Sequence, residues 1–122
     1  RKSRRKGHSM PSVEHLLETT GWVLADGATG TNFFKMGLET GYPPELWNVE
    51  RPDEVTALHA YFIEAGSQLV LTNSFGGTAY RLNLHDAQGR VHELNSAGRR
   101  GGCRVAPVPW PPPFTWLKPV AE

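Results

Sequence analysis

The sequence predicts an α/β fold, and three observations lead to this prediction. Two short apolar runs, at residues 22–25 and 69–71, have the length and composition of strands that are buried on both faces. A helix with a clear start and stop lies between them. A polar, glycine-rich segment follows each apolar run directly. A strand, a helix and a second strand in this order form a βαβ unit, whose two strands run parallel.

The first predicted element is a short helix at residues 12–20. Val13, Leu16 and Leu17 recur at the i, i+3, i+4 spacing that places side chains on one helix face. Gly21 ends this helix, and the first apolar run follows at once.

The first predicted strand ends in a candidate binding loop. The apolar run stops abruptly at Asp26, and glycines follow at Gly27 and Gly30. An acid followed by glycines at the end of a strand is typical of a loop whose backbone can approach a ligand closely. Asp26 is therefore the acid that we expect to bind a ligand, and a turn-forming Asx cap is the alternative.

Among the predicted elements, the helix that connects the two strands has the clearest sequence signals for where a helix starts and ends. Pro52 suits the first helical position, and the two acids after it complement the positive end of the helix dipole. Val55, Leu58 and Phe62 then recur at helical spacing, and Gly66 ends the helix.

The second predicted strand leads into a second candidate loop, which begins with Thr72 and Asn73 and continues to a glycine pair. Because both strands are parallel, both loops are expected at the same edge of the sheet. A further helical pattern spans residues 79–97, with a break predicted near residues 85–89.

Charge and composition limit the classes of partner that the chain is expected to bind. Residues 7–97 contain 4 basic and 11 acidic side chains, a formal charge of −7. Nucleic-acid-binding domains concentrate Lys and Arg on the folded surface, so we expect no nucleic-acid partner. No run approaches the roughly 18 apolar residues of a membrane-spanning helix, so we expect no membrane partner and a soluble, cytoplasmic protein. The single cysteine excludes an internal disulfide and a thiolate-rich zinc site within one chain.

The two ends differ from the body in composition. Residues 1–10 are basic and poor in apolar side chains, which predicts a disordered leader or, alternatively, a nuclear-localisation or polyanion-binding patch. Residues 98–122 are rich in Gly, Arg and Pro. We interpret them as a disordered tail foreign to the fold, as a shifted reading frame would produce. A polyproline ligand for an SH3 or WW domain is the alternative.

Other candidate sites are weak. Neither glycine-rich loop is followed by the Lys-Ser/Thr pair of a phosphate-binding P-loop. His59, His85 and His92 have no cysteine or acid pattern around them that indicates a metal site, so we expect surface or packing roles.

Four segments appear in a recognisable order: LADGATGT at 24–31, PELWN at 44–48, YFIEAGS at 61–67 and LTNSFGG at 71–77. Together they resemble the opening of the homocysteine S-methyltransferase family. That family includes betaine-homocysteine methyltransferases and the homocysteine-binding domain of methionine synthase. The resemblance covers roughly residues 20–97.

The resemblance implies a (β/α)8 TIM barrel with its site at the C-terminal ends of the strands. Such a barrel takes about 250 residues. Residues 11–97 would then hold the first two strand-helix units, a partial barrel between disordered ends. The implied reaction is methyl transfer to homocysteine, which gives methionine, and the sequence leaves the methyl donor open.

The resemblance also implies a cofactor and a pocket. Family members hold zinc with three late cysteines, and metal coordination converts the homocysteine thiol into a thiolate. Those ligands are absent from this chain, and Cys103 is not expected to replace them. The residues that match the pocket are Asp26, Gly27 and Ala28 for the amino-acid end of homocysteine, with Thr72 and Asn73 lining the same pocket.

The prediction is therefore a truncated, inactive piece of a homocysteine S-methyltransferase, which carries part of the substrate pocket and no metal site. The alternative is a non-catalytic interaction protein that binds partners through its proline-rich tail and basic N-terminus.

Overall fold

The computed structural model of the protein describes residues 11–103. The predicted basic leader, and the part of the predicted tail from residue 104 onward, lie outside this range. Within it the chain forms α-helices joined by turns and loops. They are α1 (Val13–Thr20), α2 (Thr29–Lys35), α3 (Trp47–Glu50), α4 (Pro52–Glu64), α5 (Ala79–Leu82) and α6 (Val91–Cys103), with short 3₁₀ turns at Pro44–Leu46, Asn83–His85 and Gln88–Arg90.

Helix α1 confirms the first predicted element. The Ser12 side chain caps its start by accepting a hydrogen bond from the His15 N–H at 3.2 Å. At its end, Gly21 adopts a left-handed conformation (φ 79°) and donates its N–H to the Leu17 carbonyl. Glycine reaches this conformation without the steric cost that a Cβ would add.

The later helices confirm the predicted signals and extend one of them. Helix α4 begins at Pro52, as predicted, and the break expected near residues 85–89 separates α5 from α6. Helix α6 continues to Cys103, so the boundary predicted at residue 98 falls inside it.

Two apolar clusters form the core. Helix α6 packs on α3 and α4, and the rings of Phe33 and Trp47 meet edge to face, with centroids 5.4 Å apart. Apolar burial of this kind is the main favourable contribution to folding. The first cluster comprises Phe33, Leu38, Trp47, Val55 and Leu58, and the second comprises Leu46, Leu82, Ala87 and Leu94.

The predicted α/β class is wrong for the residues that the structure describes, and so is the partial (β/α)8 barrel with its two strand-helix units. Residues 11–103 are helices, turns and loops with no strand. The two apolar runs do lie side by side and run parallel, but one isolated bridge, between Ala25 and Leu69, joins them.

The reason is visible in the hydrogen bonds of the two runs. The Leu24 N–H donates to Gln68 Oε1 at 3.0 Å, and the Leu71 N–H donates to Asp26 Oδ2 at 3.1 Å. Side-chain oxygens thus replace the backbone carbonyls that would extend a ladder. Parallel sheets are also usually covered on both faces, whereas Trp22 is 55% exposed and Leu71 is 65% exposed.

The helices are short relative to a lipid bilayer. Across the part of the chain that the structure describes, none combines the length and the apolar character that crossing a membrane requires.

Candidate functional site

The two loops predicted to form a site lie next to each other. Asp26 follows the Ala25–Leu69 bridge, and its N–H donates to the Leu69 carbonyl at 2.9 Å. Its carboxylate reaches across to the neighbouring run, where Oδ2 accepts the Leu71 N–H. Leu71 immediately precedes Thr72. The structure therefore brings the half-buried Asp26 carboxylate to the start of the second loop.

Gly27 and Ala28 continue from Asp26 as exposed backbone. A Cβ on Gly27 would lie 3.2 Å from Cε1 of Phe62, so the loop passes close over the aromatic ring of α4. The Ala28 carbonyl accepts a hydrogen bond from the Asn32 side chain at 2.7 Å, which fixes the entry into α2. These contacts hold the loop while leaving its surface open.

Thr72 is exposed at the start of the second loop, and its hydroxyl lies 2.9 Å from the Ser74 hydroxyl. The C-terminal end of α6 supports it from behind, because a Cβ on Gly102 would lie 3.1 Å from Thr72 Cγ2. Thr72 is thus an exposed residue directly after Leu71, whose N–H binds the Asp26 carboxylate.

Asn73 is buried, and its side chain faces into the protein. Its Nδ2 donates to the Pro44 carbonyl at 2.7 Å and to Asn48 Oδ1 at 2.9 Å. In return, Asn48 Nδ2 donates to the Asn73 carbonyl at 2.7 Å and to the Leu94 carbonyl at 3.1 Å. Both amide protons of Asn73 are therefore used inside the protein.

Glu45 supplies a second anchor for the same loop. Its side chain is buried, and Oε1 accepts the Gly76 N–H at 2.5 Å. A Cβ on Gly76 would lie 2.7 Å from this oxygen, so any larger residue here would require the Glu45 carboxylate to shift. We call Glu45, Asn48 and Asn73 the polar clamp.

Sequence reasoning identified Asn73 but assigned no role to Glu45 and Asn48. Both lie in the segment PELWN, beside the buried Leu46 and Trp47. A polar residue within an otherwise buried apolar stretch is the signal that indicates such anchors.

His59 lies on α4 and is fully buried, with 0% of its surface exposed. Neither ring nitrogen has a hydrogen-bond partner among residues 11–103. Burial lowers the pKa of the His59 imidazole because it disfavours the charged form, and the charge of Asp26 partly opposes this shift. Of the surface and packing roles expected from the sequence, His59 thus has the packing role, and its burial favours the neutral form.

We predict that His59 makes the folded state sensitive to acid. Because the pKa of His59 is lower in the folded chain than its ordinary value of 6.5, the unfolded chain takes up a proton at this imidazole more readily, so the free energy of unfolding falls as the pH falls below 6.5. The loss is at most about 1.4 kcal/mol per pH unit. Chemical denaturation of the wild type and of His59→Leu between pH 7.5 and 5.5 measures it.

The exposed His92, on α6, provides the control for this measurement. His92→Gln is expected to keep the wild-type pH dependence, and His59→Leu is expected to flatten it. If the free energy of unfolding depends on pH equally in His59→Leu and in the wild type, the acid sensitivity does not come from His59.

The described part of the chain contains no cluster of potential metal ligands. Residues 11–103 contain no group of three His, Cys, Asp or Glu side chains arranged to hold a metal ion. The residues present here therefore do not fit the three-thiolate zinc site that the resemblance implies.

The comparisons with known proteins agree with the resemblance. The model of the homocysteine S-methyltransferase family matches residues 23–107. The methionine synthase of Mycobacterium leprae (strain TN) is 34% identical over 102 residues, covering 75% of this chain and 8% of that protein. The methionine synthase of Mycobacterium tuberculosis (strain ATCC 25618 / H37Rv) is 36% identical over 93 residues, covering 69% of this chain and 8% of that protein.

The chain thus spans 8% of the length of these two curated relatives, and the family match runs past the predicted tail boundary at residue 98. The match covers more than half of the chain and includes all four segments singled out in the sequence. The chain belongs to the homocysteine S-methyltransferase family.

Proposed function

We propose that this chain supplies part of the pocket that binds the amino-acid end of homocysteine during methyl transfer to give methionine. The observation that carries the proposal is the position of the Asp26 carboxylate, which joins the two loops that match the family's segments. The two methionine synthases that the chain resembles support the same reaction.

The proposed roles follow from the groups of the two loops that have no hydrogen-bond partner in the described part of the chain. Asp26 Oδ2 is used by the Leu71 N–H, while Oδ1 has no hydrogen-bond partner among the described residues. A half-buried carboxylate oxygen in this position attracts an ammonium group, which is the charged donor of an amino acid. The backbone N–H groups of Gly27 and Ala28 would donate to the homocysteine carboxylate.

Thr72 and Asn73 complete this part of the pocket in different ways. The exposed Thr72 hydroxyl can donate to or accept from a bound amino acid. Asn73 is already hydrogen-bonded inside the polar clamp, so it acts by fixing the backbone on which Thr72 sits.

We propose that residues 11–103 do not themselves activate the homocysteine sulfur. A bound zinc ion would supply a site that holds the homocysteine sulfur as a thiolate, the form that can accept a methyl group from a donor. Because residues 11–103 do not provide a three-ligand metal site, we propose that this chain alone binds homocysteine without transferring the methyl group.

We predict that Asp26→Asn weakens homocysteine binding at least about tenfold, because a tenfold change corresponds to the loss of about 1.4 kcal/mol. The amide oxygen can still accept the Leu71 N–H, so the loop contact survives while the charge is lost. Isothermal titration calorimetry with homocysteine measures the change in Kd.

The matched control is Asp86→Asn. Asp86 is exposed and has a left-handed backbone (φ 54°), a conformation that asparagine tolerates well. This variant is expected to bind homocysteine as the wild type does. An unchanged Kd in Asp26→Asn would remove the basis of the proposed function.

A further inference from the structure

We propose that Glu45 and Asn48 are positioning residues for the homocysteine pocket, acting on Thr72 through the loop that they anchor. This inference rests on the proposed function of the loop. Neither residue has a place in the pocket itself, because both side chains are only 4% exposed.

The two anchors hold the loop at separate points. Asn48 binds the backbone carbonyl of Asn73, directly after Thr72, and Glu45 binds the N–H of Gly76, three residues further along. The Glu45 acceptor is buried, so its loss would leave the Gly76 N–H without a hydrogen-bond partner. Together the anchors leave Thr72 little freedom to move relative to Asp26.

Apolar packing does little to hold this loop in place. Phe75, its large apolar residue, is 87% exposed, and Thr72 is exposed as well. A segment without buried apolar side chains depends on its hydrogen bonds for a defined position. The hydrogen bonds of the polar clamp connect this loop to the segment 44–48.

The clamp also connects the loop to the rest of the fold. Asn48 Nδ2 donates to the Leu94 carbonyl as well as to the Asn73 carbonyl, and Asn95 Nδ2 donates to the Gly77 carbonyl at 2.7 Å. The loop is thus fastened to α6 and to the segment 44–48 at once. Removing one buried partner leaves the other unsatisfied, which loosens the whole loop.

The test compares Glu45→Ala with Glu45→Gln and Glu45→Asp in the full chain. Glu45→Ala removes the acceptor for the Gly76 N–H, Glu45→Gln retains one, and Glu45→Asp withdraws it by one methylene while keeping the charge. Two readouts are needed: the homocysteine Kd by calorimetry and the hydrogen-exchange rate of the Gly76 amide by NMR. Val55→Ala is the control, since it removes a buried core side chain outside the clamp.

We expect Glu45→Ala and Glu45→Asp to weaken homocysteine binding at least about fivefold and to speed Gly76 exchange at least about tenfold. Glu45→Gln is expected to bind within about twofold of the wild type, and so is Val55→Ala despite its lower stability. If Glu45→Ala fails to fold, the homocysteine Kd and the Gly76 exchange rate of Glu45→Asp test the positioning role instead.

The outcomes separate the two proposals. A wild-type chain that binds homocysteine, with Glu45→Asp binding equally well, overturns the positioning role and leaves the proposed function intact. A wild-type chain that binds no homocysteine overturns the proposed function, and the positioning role with it.

Discussion

Replacing Phe33 with alanine is expected to lower the free energy of unfolding by about 3–5 kcal/mol. Phe33 is fully buried in the first apolar cluster and meets the Trp47 ring edge to face. Alanine would remove the buried ring and leave a cavity that the neighbouring side chains fill only in part. Chemical denaturation followed by tryptophan fluorescence measures the change directly.

Phe34 provides a neighbouring control for this substitution. It lies in the same helix, α2, but is 51% exposed and outside the core clusters. Phe34→Ala is expected to change the free energy of unfolding by no more than about 0.5 kcal/mol. Equal losses in the two variants would mean that α2 does not pack on α3 and α4 as the structure shows.

Helix α2 itself shows where sequence patterns stop being informative. Helix α2 begins at Thr29, inside the segment 26–31 that the sequence marked as a ligand loop, and its N-cap residue, Ala28, makes no side-chain capping bond. Burial of Phe33 against Trp47 stabilises this helix, and that contact depends on tertiary structure. By contrast, α1 and α4 carry local signals, a capping serine and a leading proline, and both were predicted correctly.

The predicted strands failed for a related reason. The apolar runs before Asp26 and Thr72 have strand-like composition, but a strand requires partners along its length. The correct part of the prediction is their alignment, since Ala25 and Leu69 form a parallel bridge. The sequence pattern cannot show that the Gln68 and Asp26 side chains would take the neighbouring backbone N–H groups.

For the candidate site, the sequence pattern predicted that the two loops lie close together, but it did not predict where their side chains point. Asp26 does reach the start of the second loop, as the shared edge of two parallel runs implied. Asn73 follows that run, yet its side chain turns inward to Pro44 and Asn48. Its partners lie 25 and 29 residues away, so no local spacing rule identifies them.

The contacts of α6 with the polar clamp can be tested through two glycines of this helix. A Cβ on Gly98 would lie 2.8 Å from Asn48 Nδ2 and 3.0 Å from the Asn73 carbonyl oxygen. The carbonyl belongs to the backbone, and Asn48 is held by its own hydrogen bonds, so neither neighbour can move aside freely. Among residues 11–103, a Cβ on Gly101 would meet Val55 and Thr56 at 3.7 and 3.8 Å, which is ordinary contact.

Gly98→Ala is therefore expected to destabilise the protein by about 1–3 kcal/mol, because overpacking outweighs the gain of about 1 kcal/mol in helix propensity. Gly101→Ala gains the same propensity without the clash and is expected to stabilise the protein by about 0.5–1 kcal/mol. Parallel denaturation curves of the two variants measure these opposite shifts. A stabilised Gly98→Ala would show that α6 does not approach Asn48 and Asn73 this closely, and the polar clamp would then lose its support from α6.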